Sequence, residues 1–184
     1  MKKYLITDPA HYTTNPLLFS QILNRSLLKY TPDFVCFRDK TEGCKKELLR
    51  AFGGALENKQ YKTFINGSLE LALEYGFDGA HLQSSQHSLI QKAKNSGLFV
   101  ITSCHTADEA AKALEDGSDF VTLSPVFETP HKGAPLGITA FFDMLTKVDK
   151  KKVFALGGID DEQKAASIEK LNVFGFASIR YFVR

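Results

Sequence analysis

The sequence predicts a (β/α)8 TIM barrel, compact and lacking its last helix, formed as one domain over residues 1–184. Three observations predict it. Short runs of β-branched and aromatic residues recur eight times along the chain. Amphipathic stretches with helix-start signals lie between them, and this alternation builds parallel βα units, of which eight close on themselves. The first run ends in Asp8-Pro9-Ala10-His11, whereas a doubly wound open sheet carries a glycine-rich turn at that point.

In chain order the runs are "KYLITD" (Lys3 to Asp8), "DFVCFRDK" (Asp33 to Lys40), "KTFING" (Lys62 to Gly67) and "GAHLQ" (Gly79 to Gln83). They continue with "LFVITS" (Leu98 to Ser103), "DFVTLSPVF" (Asp119 to Phe127), "VFALGGI" (Val153 to Ile159) and "VFGFASI" (Val173 to Ile179). Helix starts are marked by Ser68 before "LELALEYG", by Thr106 with Glu109 before "AAKALEDG", and by Asp160 with Gln163 three residues on. The tail after the eighth run, ending at Arg184, is too short for an eighth helix. One flank of the barrel is therefore expected to need a cover. Another protomer of a homo-oligomer, or the segment Asp8 to Leu18, would supply it.

With 184 residues, 43% of them hydrophobic, the chain can bury one core, though it falls below the usual barrel length of roughly 200 residues. A net charge of +2 gives no nucleic-acid footprint, and "KVDKKK" (Lys147 to Lys152) reads as a solvated helix end or loop. No apolar run reaches membrane-spanning length, and the start "MKKYLITDPAHY" is no signal peptide. Neither a membrane nor a nucleic acid is an expected partner. Cys36, Cys44 and Cys104 are an odd count without paired spacing, which implies reduced thiols, a cytoplasmic location and no zinc site.

Function in a barrel sits at the C-terminal ends of the strands. Those ends carry cations, amides and hydroxyls, a set that suits a phosphate. Gly157-Gly158 follows strand seven and opens a helix, so backbone N–H groups can approach an anion there; the competing reading is a plain strand-to-helix turn. Arg38 and Lys40 flank Asp39 at the end of strand two, as a diphosphate site or a surface ion-pair cluster. "SPVFETPHKGAPLG" (Ser124 to Gly137) is a candidate lid whose Lys132 would close on a phosphate, or would simply be an exposed lysine. His105 and His131 are candidate acid–base groups, with loop packing as the alternative for His105.

The order Arg38-Asp39-Lys40, Asn66, "AHL", "SCHTADEA", "DFVTLSPVFETPHK", "ALGGI" and "GFAS" resembles the thiamine phosphate synthase/TenI family from strand two to strand eight. The resemblance implies a (β/α)8 barrel of thiamin biosynthesis with one of two activities. Synthases join hydroxymethylpyrimidine diphosphate to a thiazole phosphate with Mg²⁺. TenI-type members isomerise a carboxylated thiazole phosphate by moving a proton. By the same resemblance Arg38, Lys40, Ser103 and Lys132 match diphosphate contacts, and Asn66 matches the family asparagine. Thr129 matches a thiazole-side threonine, and Gly157 and Gly158 the thiazole-phosphate loop.

The chain departs from the pattern where the resemblance implies metal. Gly67 and Gln86 stand where synthases carry aspartates. Cys36 replaces a pyrimidine-facing glutamine, Arg180 replaces a serine near the thiazole phosphate, and Pro125 replaces a histidine that some tautomerases use as base. The expectation is therefore a TenI-like activity with no metal ligands and no cofactor, Mg²⁺ entering only if synthesis is retained. Gly157, Gly158 and Arg180 would hold the phosphate, Thr129 and Lys132 would close over it, and His105 or His131 would move the proton. A synthase and a non-catalytic phosphate-binding barrel stay as alternatives.

Overall fold

The computed structural model describes residues 1–41, 45–57, 61–130 and 133–184. Each apolar run of the sequence coincides with a strand: β1 (Lys2–Ile6), β2 (Phe34–Phe37), β3 (Lys62–Asn66), β4 (Gly79–Leu82), β5 (Phe99–Cys104), β6 (Phe120–Leu123), β7 (Val153–Leu156) and β8 (Gly175–Ser178). All neighbours are parallel, and β1 pairs with both β2 and β8, so the sheet closes into a barrel with Tyr4 opposite Phe34 on one side and Ala177 on the other.

Alternation along the strands sorts side chains into two layers. Tyr4, Ile6, Phe34, Cys36, Phe64, Ile101, Phe154 and Ala177 pack inside the barrel. Leu5, Val35, Ile65, Val100 and Val121 face outward into the larger core beneath the helices. The lower half of the barrel is aromatic. Phe120 stacks on Phe174 at 4.4 Å between centroids, and Phe154 meets both Tyr4 and Phe34 at 5.2 Å. The rings need room, which two glycines leave: a Cβ at Gly79 would lie 2.6 Å from the Phe64 ring, and one at Gly175 would lie 2.7 Å from Phe154.

Helices α1 (Pro9–Tyr12), α2 (Pro16–Tyr30), α3 (Lys45–Leu56), α4 (Leu69–Glu74), α5 (Ile90–Asn95), α6 (Ala107–Glu115), α7 (Gly137–Leu145) and α8 (Glu162–Glu169) connect the strands. Ser68 caps α4, accepting from the Leu71 N–H at 3.2 Å, and Thr106 caps α6, accepting from Glu109 N–H at 3.1 Å. The Glu109 carboxylate reaches back to the His105 N–H at 2.7 Å. The start of α8 differs from expectation by one residue. Asp161 is its cap, accepting from the Lys164 N–H, because Asp160 is drawn aside by cations.

After β8 the chain forms a short 3₁₀ turn, Arg180–Val183, in place of a helix. Tyr181 and Phe182 are buried in it. The Tyr181 ring packs on Phe176 at 4.9 Å and on Tyr30 of α2 at 5.3 Å, and Phe182 meets Tyr30 edge-on at 5.7 Å. The short α1, whose Tyr12 is fully buried, lies against the same turn. The turn and α1, part of the segment Asp8 to Leu18, thus pack together on that flank, while Leu17, Leu18 and Leu28 of α2 stay exposed. Among the described residues no helix is long and apolar enough to cross a membrane.

Candidate functional site

A cavity of about 700 Å³ opens at the C-terminal mouth of the barrel, lined from every side by the residues that follow the strands. Its charged wall comes from β1 and β2. Asp8 caps α1 through the Ala10 N–H, and its other oxygen pairs with the guanidinium of Arg38. Arg38 and Lys40 both border the cavity. Asn66, at the end of β3, donates its amide to the His81 carbonyl at 3.1 Å and borders the cavity.

The floor holds a residue that the sequence reading did not single out. His81 is 2% exposed and faces inward from β4. Its Nδ1 lies 3.0 Å from the Tyr4 hydroxyl, and its Nε2 lies 3.0 Å from the hydroxyl of Ser103 on β5. Burial first, and the Arg38 cation second, push its pKa down to about 4. A lone histidine in an otherwise apolar strand was the signal that could have found it. Cys36 lies beneath this floor, fully buried, and burial pushes its thiol up to about 12.

His105 follows β5 and stands exposed at the cavity edge. Its Nδ1 lies 2.9 Å from the Ser124 carbonyl. A carbonyl can only accept, so Nδ1 carries the proton and the Nε2 of the neutral ring keeps its lone pair. Thr129 lies on the cavity wall and donates its hydroxyl to the Phe127 carbonyl at 3.0 Å. His131 and Lys132 lie outside the described residues.

The loop after β7 is shaped by glycine. Gly157 has φ 101° and Gly158 has φ 70°, values that L side chains rarely adopt. Added Cβ atoms would come 2.7 Å from Pro125 Cα and 2.5 Å from the Glu128 carbonyl. Among the described residues neither glycine N–H takes part in a backbone hydrogen bond. Both line the cavity beside Arg180. Arg180 is steered by Asp160, 3.4 Å away, which also binds Lys164 at 2.7 Å and lies 3.7 Å from Arg184. Burial raises the pKa of Asp160, but Lys164, Arg180 and Arg184 together outweigh it and hold the carboxyl below its ordinary value. The cavity therefore brings together Arg38, Lys40, Asn66, Ser103, His105, Thr129, Gly157, Gly158 and Arg180.

The donor set does not fit Mg²⁺. Gln86 donates its amide to the Gly67 carbonyl at 2.9 Å and accepts from the Gln83 N–H at 3.0 Å. A side chain at Gly67 would put its Cβ 2.8 Å from the Gln83 amide. Of the nearby carboxylates, Asp8 is committed to Arg38; Asp39 accepts from the Thr41 N–H and hydroxyl through one oxygen, each at 2.7 Å, and its other oxygen is buried without a hydrogen-bond partner but does not border the cavity. Among the described residues no three His, Cys, Asp or Glu side chains are grouped to hold a metal. Mg²⁺ wants hard anionic oxygens, and an amide already bonded to a backbone carbonyl supplies none.

Comparison with known proteins agrees with the fold and names the family. A family model described as thiamine monophosphate synthase matches residues 3–182. A thiamine-phosphate synthase of Methanocella arvoryzae is 32% identical over 165 residues, covering 85% of this chain and 76% of that protein. A Geobacter sulfurreducens protein that bears the same name provisionally is 35% identical over 141 residues; the match covers 72% of this chain and 62% of that protein's length. Among solved structures, a thiamine phosphate pyrophosphorylase from Pyrococcus furiosus superposes with a TM-score of 0.78 at 22% identity, covering 97% of this chain and 85% of that one. That last likeness is one of fold. The eight-stranded barrel and a family match over nearly its whole length lead to one conclusion: the chain belongs to the thiamine monophosphate synthase family.

Proposed function

We propose that the chain is a TenI-like member of this family, which binds a thiazole phosphate at the barrel mouth and moves a proton on its ring without a metal ion. The observation that carries the proposal is the Gln86–Gly67 hydrogen bond, which fills with amide and backbone the place where a synthase holds its metal carboxylates. The phosphate rests on the N–H groups of Gly157 and Gly158 and on Arg180, and Thr129 lies beside it. His105 is the base: its Nε2 takes a proton from one ring atom, and the electron pair left behind is protonated at another, so no atom is gained or lost. The unpaired, buried Cys36 and Cys104 accord with a reducing cytoplasm.

The test follows a carboxylated thiazole phosphate by NMR in deuterated water with a chelator present. Enzyme-dependent isomerisation with deuterium uptake is the expected result, abolished in His105→Ala. Thiamin phosphate formed from the pyrimidine diphosphate and thiazole phosphate would instead establish the synthase reading, which the names of the relatives favour. Binding without turnover of either kind would leave a non-catalytic phosphate-binding barrel.

A further inference from the structure

Tyr4 of β1, His81 of β4 and Ser103 of β5 form a single line of hydrogen bonds across the barrel, with spacings of 3.0 Å on both sides of the imidazole. Tyr4 is fully buried at its inner end, while His81 and Ser103 border the cavity. The relative strength of the available acceptors favours one direction for each bond. His81, held down to about 4 by burial and Arg38, is neutral and has one ring N–H to give. Burial keeps the Tyr4 hydroxyl protonated. The neighbouring thiol of Cys36 directs its own proton to the Phe37 carbonyl, 3.6 Å away. For the Tyr4 hydroxyl the imidazole nitrogen is a stronger acceptor than that sulfur. Tyr4 therefore donates to Nδ1, and the ring proton sits on Nε2 and is given to the Ser103 oxygen. With its oxygen so engaged, the Ser103 hydroxyl keeps its own hydrogen free of His81, at a residue that borders the cavity.

We propose that His81, set by Tyr4, is a positioning residue that makes the Ser103 hydroxyl a fixed donor to an anionic oxygen of the bound ligand. The inference rests on reading the cavity as an anion site, and it assigns to buried Tyr4 and His81 a role in binding that neither could perform by contact. Reversing the tautomer would reverse the effect. With the proton on Nδ1, Ser103 would donate inward to Nε2 and present only lone pairs to an anion.

The test has two independent readouts. The first is ¹⁵N NMR of histidine-labelled, ligand-free protein, which reports the tautomer of His81 directly. Protonation at Nε2 is expected, and protonation at Nδ1 overturns the proposal. The second is titration with inorganic phosphate. Ser103→Ala and Tyr4→Phe should each weaken phosphate binding about 10-fold, and the double variant no more than Ser103→Ala alone, because the residues act along one chain. Tyr4→Phe keeps the ring that packs against Phe154 and loses only the hydroxyl, and its fold is checked by thermal melting. Unchanged phosphate affinity in Tyr4→Phe overturns the coupling even if the tautomer is as expected. A wild-type protein with the Nε2–H tautomer that binds no phosphate overturns the anion-site reading, and the role of Ser103 with it.

Discussion

The side-chain amide of Gln86 donates to the backbone carbonyl of Gly67 across the ends of β3 and β4, at 2.9 Å. The contact ties together the two positions at which the family resemblance implies aspartates. Gln86→Ala should cost about 1 kcal/mol, the loss of one part-buried and one exposed hydrogen bond, read from denaturant midpoints. Mg²⁺ added to the wild-type protein should leave the melting temperature unchanged; a rise that grows with Mg²⁺ concentration would contradict the tie.

Gly158 permits no side chain. Its φ of 70° and the 2.5 Å approach of a Cβ to the Glu128 carbonyl add backbone strain to a steric clash. Gly158→Ala should destabilise the fold by about 2 kcal/mol and weaken phosphate-ligand binding at least as strongly as Ser103→Ala. Calorimetry of both variants with the same ligand compares the two effects.

His81 makes the fold sensitive to acid in a defined window. Its ordinary value is 6.5, and in the folded protein it is about 4. Between those values the unfolded chain binds a proton that the folded chain does not, so stability is full above the upper value and falls as pH drops toward the lower one. The loss is about 1.4 kcal/mol per pH unit in that window. The groups facing the ring are the Tyr4 and Ser103 hydroxyls, with the Arg38 cation beyond. Melting curves of wild type and His81→Asn across the window should show the slope in the first and its flattening in the second.

Cys36 and Cys104 should be chemically silent. Burial pushes both thiols up to about 12 and shields them from reagent. In a Cys44→Ser background, a disulfide reagent at neutral pH should release no chromophore until denaturant is added. Rapid release from the folded protein would show that one of the two opens readily.

Much of this molecule could be read from its residues. Short, nearly continuous runs of β-branched and aromatic residues located all the strands, because a parallel barrel strand is covered on both faces. The helix caps at Ser68 and Thr106 are local chemistry and were legible for that reason. The cap of α8 was misplaced by one residue because Asp160 and Asp161 are equally good caps in isolation. Only the fold brings Arg180 to Asp160. His81 escaped notice for the same reason at longer range: its partners lie 77 and 22 residues away along the chain, so "GAHL" by itself reads as a buried strand. The replacement of an aspartate by Gln86 was visible, but its bond to the Gly67 carbonyl was not.

The phenyl rings stacked across the lower barrel, Phe120 on Phe174 and Phe154 against Phe34, have a consequence for traffic. They make the barrel a blind well. Whatever enters at the mouth must leave by it, past the same Arg38, Thr129 and Arg180. Arrival and departure of any ligand therefore share one doorway.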